Sequence, residues 1–516
     1  MKHLLLSIFL LICILSYSQK LSLNEMFNEG MVLQQSSKTL VWGNAEPSKS
    51  VNIMIQGKSF KSKADAQGNW TIVLKNLKAG GPFCLKTFSS TDSIQLNEVY
   101  VGEVWLAGGQ SNMAFMLQNA DNGKDEIARA NNKNIRFLMV PYKAFEGDKK
   151  RGDMNWRTAT SENTASISAV AYYFAKELQA RLNVPVGLIC CYKGGSGADT
   201  WTSRASLLKK PELAGYVENY EKFSSSLNKE VYMASVKRYE LESKAYNDSV
   251  KAGKTGLKKP SEPMGEQNYN RPAGLYNTML KRIMPYTVKG TIWYQGEHNS
   301  NRAYLYRSLF PTMIEQWRTD FNNPKMPFLF VQLPSYANAD SQNKAIWPEL
   351  REAQLLTLQK VKNTGMAVTI DLGEKTNIHP TNKEPVGKRL SAIALNTVYG
   401  IKIPYSGPGY SNVKFNYNKA ILTFDYIYSG LMVENGELKG FSICGEDKIF
   451  AEAKAEIINN QIIVTSDKIE NPIAVRYGWE NWTDANLKNK EGFMASPFRT
   501  DNFELLTQGV KAPVYK

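Results

Sequence analysis

The apolar positions of this chain change their spacing twice. From about Leu21 to Leu96 they come in short alternating runs. Leu40-Val41-Trp42-Gly43, Val51-Asn52-Ile53-Met54-Ile55 and Trp70-Thr71-Ile72-Val73-Leu74 read as strands, parted by turn signals such as Gln56-Gly57 and Gln67-Gly68-Asn69. That rhythm predicts a small β-sandwich. Beyond Val101 the runs become wholly apolar and alternate with segments of helical period. Strands are predicted at 101–107, 186–190, 290–294, 328–333 and 366–371, and helices at 168–182, 275–283, 304–321, 349–361 and 385–398. Wholly apolar strands between helices argue for a buried parallel sheet with helices on both faces, an α/β class whose chemistry sits at the carboxyl ends of the strands. A charged, helix-prone stretch at about 205–268 breaks the rhythm and reads as an insertion bordering the site. From about Gly407 the β pattern returns, with Ala420–Phe424, 455–458, Gln461–Thr465 and Ala474–Tyr477 as strands and Asn459-Asn460 as a tight hairpin.

Length agrees with this division, since 516 residues exceed one ordinary core. The predicted units are 1–18 as a signal peptide, 19–97 as an N-terminal β-sandwich, 98–404 as an α/β domain and 405–516 as a C-terminal β domain. The leader is read from Met1-Lys2-His3, an apolar run over 4–15 and Ser16-Tyr17-Ser18. The run is short for a membrane span. Cys13 lacks the small residues that a lipid-attachment site carries before it. An exported protein is therefore expected, periplasmic or extracellular, with no membrane span. Cys84, Cys190, Cys191 and Cys444 remain in the mature chain, and the Cys190-Cys191 pair in an apolar run suits buried free thiols. No cysteine pair has metal spacing, so neither metal nor cofactor is expected. The formal charge of +15 is spread along the sequence rather than clustered. That argues against a nucleic-acid footprint and fits either attraction of acidic sugars or plain solubility.

Candidate chemistry begins where the strand 101–107 meets Gly108-Gly109. Ser111 follows two residues later, on a turn that exposes its hydroxyl as a nucleophile requires. A polar turn after any strand looks the same, so the partners decide. Beyond the leader only His298 and His379 remain, each just after a predicted strand. Imidazole is the group suited to take a serine proton near neutral pH. His379 is the favoured base, and a structural role is the favoured reading of His298. Oxyanion donors are available from the N–H of Ser111, the N–H of Gly194 or Gly195, and the amide of Asn299. A plain strand-to-helix turn and a helix N-cap are the alternatives for the last two.

Several linked motifs resemble the sialate O-acetylesterase-type members of the SGNH hydrolases. They are Gly-Gln-Ser-Asn-Met at 109–113, Gly-Gly-Ser-Gly-Ala-Asp-Thr-Trp at 194–201, Leu-Tyr-Asn-Thr-Met at 275–279, Ile-Trp-Tyr-Gln-Gly-Glu-His-Asn at 292–299 and Ile-His-Pro-Thr-Asn-Lys at 378–383. The flanking β domains join in through Met-Val-Leu-Gln-Gln at 31–35 and Ala-Ser-Pro-Phe-Arg-Thr-Asp at 495–501. The resemblance implies a flavodoxin-like SGNH sheet, Ser111 as nucleophile, His379 as base, and Gly195 and Asn299 in the oxyanion hole. It also implies removal of O-acetyl groups from sugars, sialic acids being the family's named substrate. An acetylated sugar or glycan is thus the expected partner.

One position departs from that pattern. Many members read Asp-Ile-His-Pro, whereas here the acidic position is Asn377. In a serine protease the equivalent change costs on the order of 10⁴ in turnover. Rescue by another carboxylate (Asp371, Glu374 or Glu297) is the favoured reading, and a Ser–His dyad or a weakened enzyme are the others. The alternatives to a sialate esterase are an acetylesterase of xylan or pectin, a decayed carbohydrate-binding protein, and, more remotely, a Cys191 hydrolase. Trp201 and Tyr294 are candidates to stack on a sugar, and Arg351 and Gln354 to meet a substrate carboxylate.

Overall fold

A computed structural model describes residues 20–149, 152–254, 256–339, 345–433 and 436–515. The expected signal peptide at 1–18 lies outside the described residues. At the centre is one long strand, Ser93–Gly109. Its first half pairs with Gly80–Phe88 in the N-terminal β layer, and its second half is the middle of the α/β sheet. The expected boundary near residue 97 therefore falls inside a continuous strand.

Through its second half the order across the sheet is Trp156–Thr160, Asn131–Met139, Val186–Tyr192, Ser93–Gly109, Gly290–Tyr294, Phe328–Val331 and Thr364–Ala367. All neighbours run parallel except Trp156–Thr160, which is antiparallel at the edge. The large sheet is thus mixed rather than wholly parallel. Val104, Trp105, Leu106 and Ala107 are fully buried, as are Val186, Leu188 and Ile189 beside them. A strand covered by helices on both faces has no solvent side, which is why these runs do not alternate.

The helices Ala169–Leu182, Ala303–Asp320, Ile346–Lys360 and Glu384–Thr397 lie close to the predicted ranges. Ser168 caps the first of them by accepting from Ala171 N. The predicted helix at 275–283 is instead a π-helical turn, Tyr276–Leu280, followed by the short Lys281–Ile283. The helix-prone insertion is helical, with Pro211–Ser226 and Lys229–Lys251 as its long helices.

Chain direction reverses around the long strand. From Gly109 the chain moves to one side, returns to Val186–Tyr192, then crosses to Gly290–Tyr294 on the other side. Such a switch point opens a crevice at the strand ends, and Ser111 stands there.

The N-terminal layer packs a sheet of Ser22–Leu23, Lys38–Asn44 and Asn69–Lys75 against strands Ser50–Ile55, Lys58–Lys63 and Gly80–Phe88. Val41, Ile72 and Leu74 of the first and Val51, Ile53 and Leu85 of the second are all buried in the core. The C-terminal β region contains two four-stranded sheets. Its hairpin turns at Asn459-Asn460, both with positive φ as a type I′ turn requires. This region is tied to helix Ile346–Lys360. Arg499 pairs with Glu352 at 2.7 Å, and Glu349 accepts from Leu506 N at 2.6 Å and Thr507 N at 2.9 Å.

Candidate active site

Two glycines set the nucleophile turn. Gly109 has φ +138°, and a Cβ there would sit 2.2 Å from the Tyr294 carbonyl oxygen. Without a side chain the long strand pairs with Gly290–Tyr294 to its last residue, and Gln110 N still reaches Tyr294 O at 3.0 Å. Ser111 is thereby placed beside loop 295–299. On its other flank Gly194 faces the Ser111 Cβ, and Gly195, at φ +73°, turns the chain back. The N–H groups of Ser111 and Gly195 donate to no group among the described residues.

His379 arrives from the loop after Thr364–Ala367, and its Nε2 lies 2.7 Å from Ser111 Oγ. The two residues are 268 positions apart in sequence. Burial lowers the imidazole's basicity, and the positive charge of Lys383 lowers it further. No carboxylate among the described residues bonds this ring. Asp371 is held by Arg389 through two hydrogen bonds of 2.7 and 2.6 Å. Glu374 accepts from Thr381 N and Oγ1 and from Asn377 Nδ2. Burial works against its charge, but those donors hold its carboxyl below the ordinary range. Glu297 accepts from Asn112 Nδ2 at 2.5 Å. The favoured expectation of a rescuing carboxylate is corrected accordingly: each candidate is engaged elsewhere.

Asn377 braces the loop instead of the ring. Its Oδ1 accepts from His379 N at 3.0 Å, and its Nδ2 donates to His379 O at 2.9 Å. This short closed turn presents the imidazole while leaving the ring without a charged partner.

Asn299 is buried behind the cavity wall. Its Oδ1 accepts from Ala198 N at 2.9 Å and Gln295 Nε2 at 2.7 Å, while its Nδ2 faces Asp199 Oδ1 at 3.3 Å. These bonds engage the Asn299 amide with the segment after Gly195 and with Gln295, and none joins it to Ser111. Here it fixes the loop that carries Gly195. His298 lines the same cavity. Burial lowers its basicity while the charge of Asp199 opposes that, and no contact joins its ring to Ser111.

The remaining sugar-facing candidates are structural. Trp201 is packed among Trp293 and Trp317, and Tyr294 is likewise buried. Arg351 is 0% exposed and donates to four backbone carbonyls, those of Leu333, Pro334, Glu480 and Asn481. Gln354 accepts from Leu333 N and donates to Val331 O. Cys190 and Cys191 are free and buried, and burial pushes the Cys190 thiol up to about 12. A neutral buried thiol is no nucleophile. No group of three or more metal-binding side chains occurs among the described residues.

The cavity over Ser111 and His379 measures about 1070 Å³. Residues 232–240 and 259–270 of the insertion form much of its wall, joined by Tyr142 and Lys193. Lys193 Nζ sits 3.8 Å from the ring centre of Tyr142 and 4.9 Å from that of Tyr269. Sequence reasoning missed Gln110, Asn112, Lys193 and Lys383. Three of them lie inside the recognised motifs, beside the residues that carry the chemistry.

Against known proteins, the family model for carbohydrate esterase, sialic acid-specific acetylesterase, matches residues 101–252 and 261–396. This chain belongs to that family. It is a carboxylic-ester hydrolase of the carbohydrate O-acetylesterase kind. The mouse sialate O-acetylesterase is 28% identical over 497 residues, covering 88% of this chain and 88% of its own. The human sialate O-acetylesterase is 28% identical over 500 residues, covering 88% of this chain and 87% of its own. Among solved structures, a carbohydrate acetylesterase from Xanthomonas citri is similar at TM-score 0.78 and 36% identity, over 93% of this chain and all of that one. The matched residues include both Ser111 and His379 of this esterase.

Proposed function

We propose that this esterase is an exported, SGNH-type enzyme that removes O-acetyl groups from sialic acids through a Ser111–His379 dyad. The observation that carries the mechanism is the 2.7 Å contact between Ser111 Oγ and His379 Nε2. His379 takes the hydroxyl proton as Oγ attacks the acetyl carbonyl carbon. The oxygen that gains the charge is received by the N–H groups of Ser111 and Gly195, each such donor contributing roughly 3 kcal/mol to the transition state. Collapse expels the sugar oxygen, which takes the proton back from imidazolium and leaves acetyl-Ser111. Water, deprotonated by the same imidazole, then releases acetate.

No carboxylate stabilises imidazolium in this scheme, and Lys383 disfavours it. The imidazole is consequently neutral, and ready as a base, to lower pH than an exposed histidine. Sialic acid as substrate is supported by the family description and by the mammalian relatives. An acidic sugar also suits a chain of formal charge +15. Export is supported by the basic start and short apolar run of residues 1–18.

Acetate release from O-acetylated sialic acid and from acetylated xylan tests both parts. Ser111→Ala is expected to abolish release from either, and the wild type to prefer the sialic acid by kcat/KM. Retained activity in the variant overturns the mechanism. Preference for xylan moves the substrate to plant polysaccharide.

A further inference from the structure

Beneath the Ser111–His379 contact lies a buried polar chain that the reaction itself does not use. Lys383 is 1% exposed, and its Nζ donates to Asn112 Oδ1 at 2.6 Å. Asn112 is 0% exposed, and its Nδ2 donates to Glu297 Oε1 at 2.5 Å and to Ile378 O at 3.0 Å. Asn112 immediately follows the nucleophile, and Ile378 immediately precedes the base. One side chain thus grips the His379 loop twice, once through Ile378 and once through Lys383.

The direction of these bonds matters. An amide side chain has nearly the same shape either way round, so its neighbours decide which end is oxygen. As an ammonium Lys383 donates only, which fixes Oδ1 toward it and sends both amide hydrogens toward Glu297 and Ile378. If Asn112 were flipped, its oxygen would face the Ile378 carbonyl. Phe115 and Tyr294 rings lie 5.0 and 5.3 Å from Nζ and close off solvent. Glu297 Oε2, also buried, has no partner among the described residues.

Given the dyad reading above, we propose that Lys383, acting through Asn112, is the positioning residue that holds the His379 loop against the Ser111 turn. In a triad, a carboxylate performs this task by bonding the imidazole directly. Here Asn377 closes the loop on itself, and the Lys383–Asn112 pair sets where that closed loop stands. The placement of a reacting pair is worth about 100-fold in rate for each ångström of error. Burial pushes the Lys383 ammonium down to about 7 despite the opposing charges of Glu297 and Glu374.

The test compares Asn112→Leu, Lys383→Met, their double variant and Lys383→Arg on p-nitrophenyl acetate, with Ser111→Ala as reference. Each of the first two is expected to lower kcat about 100-fold with little change in KM. The double variant should lose no more than the worse single, because the two residues act as one unit. Lys383→Arg keeps a buried donor and should recover part of the loss. Lys383→Met should also move the acidic limb of kcat/KM to higher pH, since the charge lowering His379 is gone, whereas Lys383→Arg should not. Wild-type kcat in either single variant, or losses that multiply in the double, overturns the proposal. If Lys383→Met fails to fold, Asn112→Leu read against Lys383→Arg decides the same question. Should Ser111→Ala itself remain active, it is the dyad that fails, and that outcome is distinct from the others.

Discussion

The two histidine loops of this esterase invite comparison, since both follow strands of one sheet and both line one cavity. His298 feels the charge of a carboxylate, Asp199 from the loop after Val186–Tyr192, yet its ring makes no contact with Ser111. In the His379 loop Glu374 is turned to Thr381 and Asn377, so no carboxylate among the described residues bonds the ring, yet the ring stands 2.7 Å from Ser111 Oγ. Position relative to the nucleophile, and not possession of an acid, separates a base from a wall residue here. Position follows from topology. Loop 295–299 leaves the strand adjacent to Ser93–Gly109 and is already bound to it, with Gln110 Oε1 accepting from Gly296 N and His298 N. The His379 loop leaves the sheet two strands further on, at Thr364–Ala367, and comes back over the crevice.

The largest expected effect that sharpens this contrast is His379→Ala, which should lower kcat by about 10⁴-fold or more, as loss of a general base does in serine hydrolases. Steady-state rates on p-nitrophenyl acetate measure it, and a loss below about 10-fold would break the contrast, being smaller than general-base catalysis contributes. The next is Asn377→Asp, which introduces the missing negative charge beside the His379 backbone. An added anion favours imidazolium, so the acidic limb of the pH profile should move upward by about one unit. An unmoved limb would show that position 377 does not face the imidazole electrostatically. The smallest is His298→Gln, which should change kcat by less than about 10-fold because no proton passes through that ring. A loss as large as that of His379→Ala would exchange the roles of the two loops.

Much of this was legible in the residues. Wholly apolar runs such as Val186 to Cys190 declared the buried sheet, and Gly108-Gly109 before Ser111 declared its turn. Scarcity of histidine narrowed the base to two candidates. The strand Asn131–Met139 and the edge strand Trp156–Thr160 were not legible, because Asn131, Asn132, Lys133 and Asn134 give the first a polar opening and bulged pairing breaks the second. The orientation of Asn299 was hidden for a different reason. An amide four residues after Gln295 serves an oxyanion or a loop equally well, and only packing against Ala198 and Asp199 decides. Lys383 escaped notice because a lysine opening a helix ordinarily reads as solvated. Its burial is imposed by Phe115 and Tyr294, which come from other parts of the chain.

The central claim is that Ser111 becomes acylated with His379 as its only base. Rapid-quench mass spectrometry of the enzyme mixed with p-nitrophenyl acetate addresses it directly. The account predicts a transient gain of one acetyl group on the peptide carrying Ser111, absent in Ser111→Ala and strongly slowed in His379→Ala. An acetyl group trapped on another residue, or one that accumulates at the wild-type rate without His379, would contradict it.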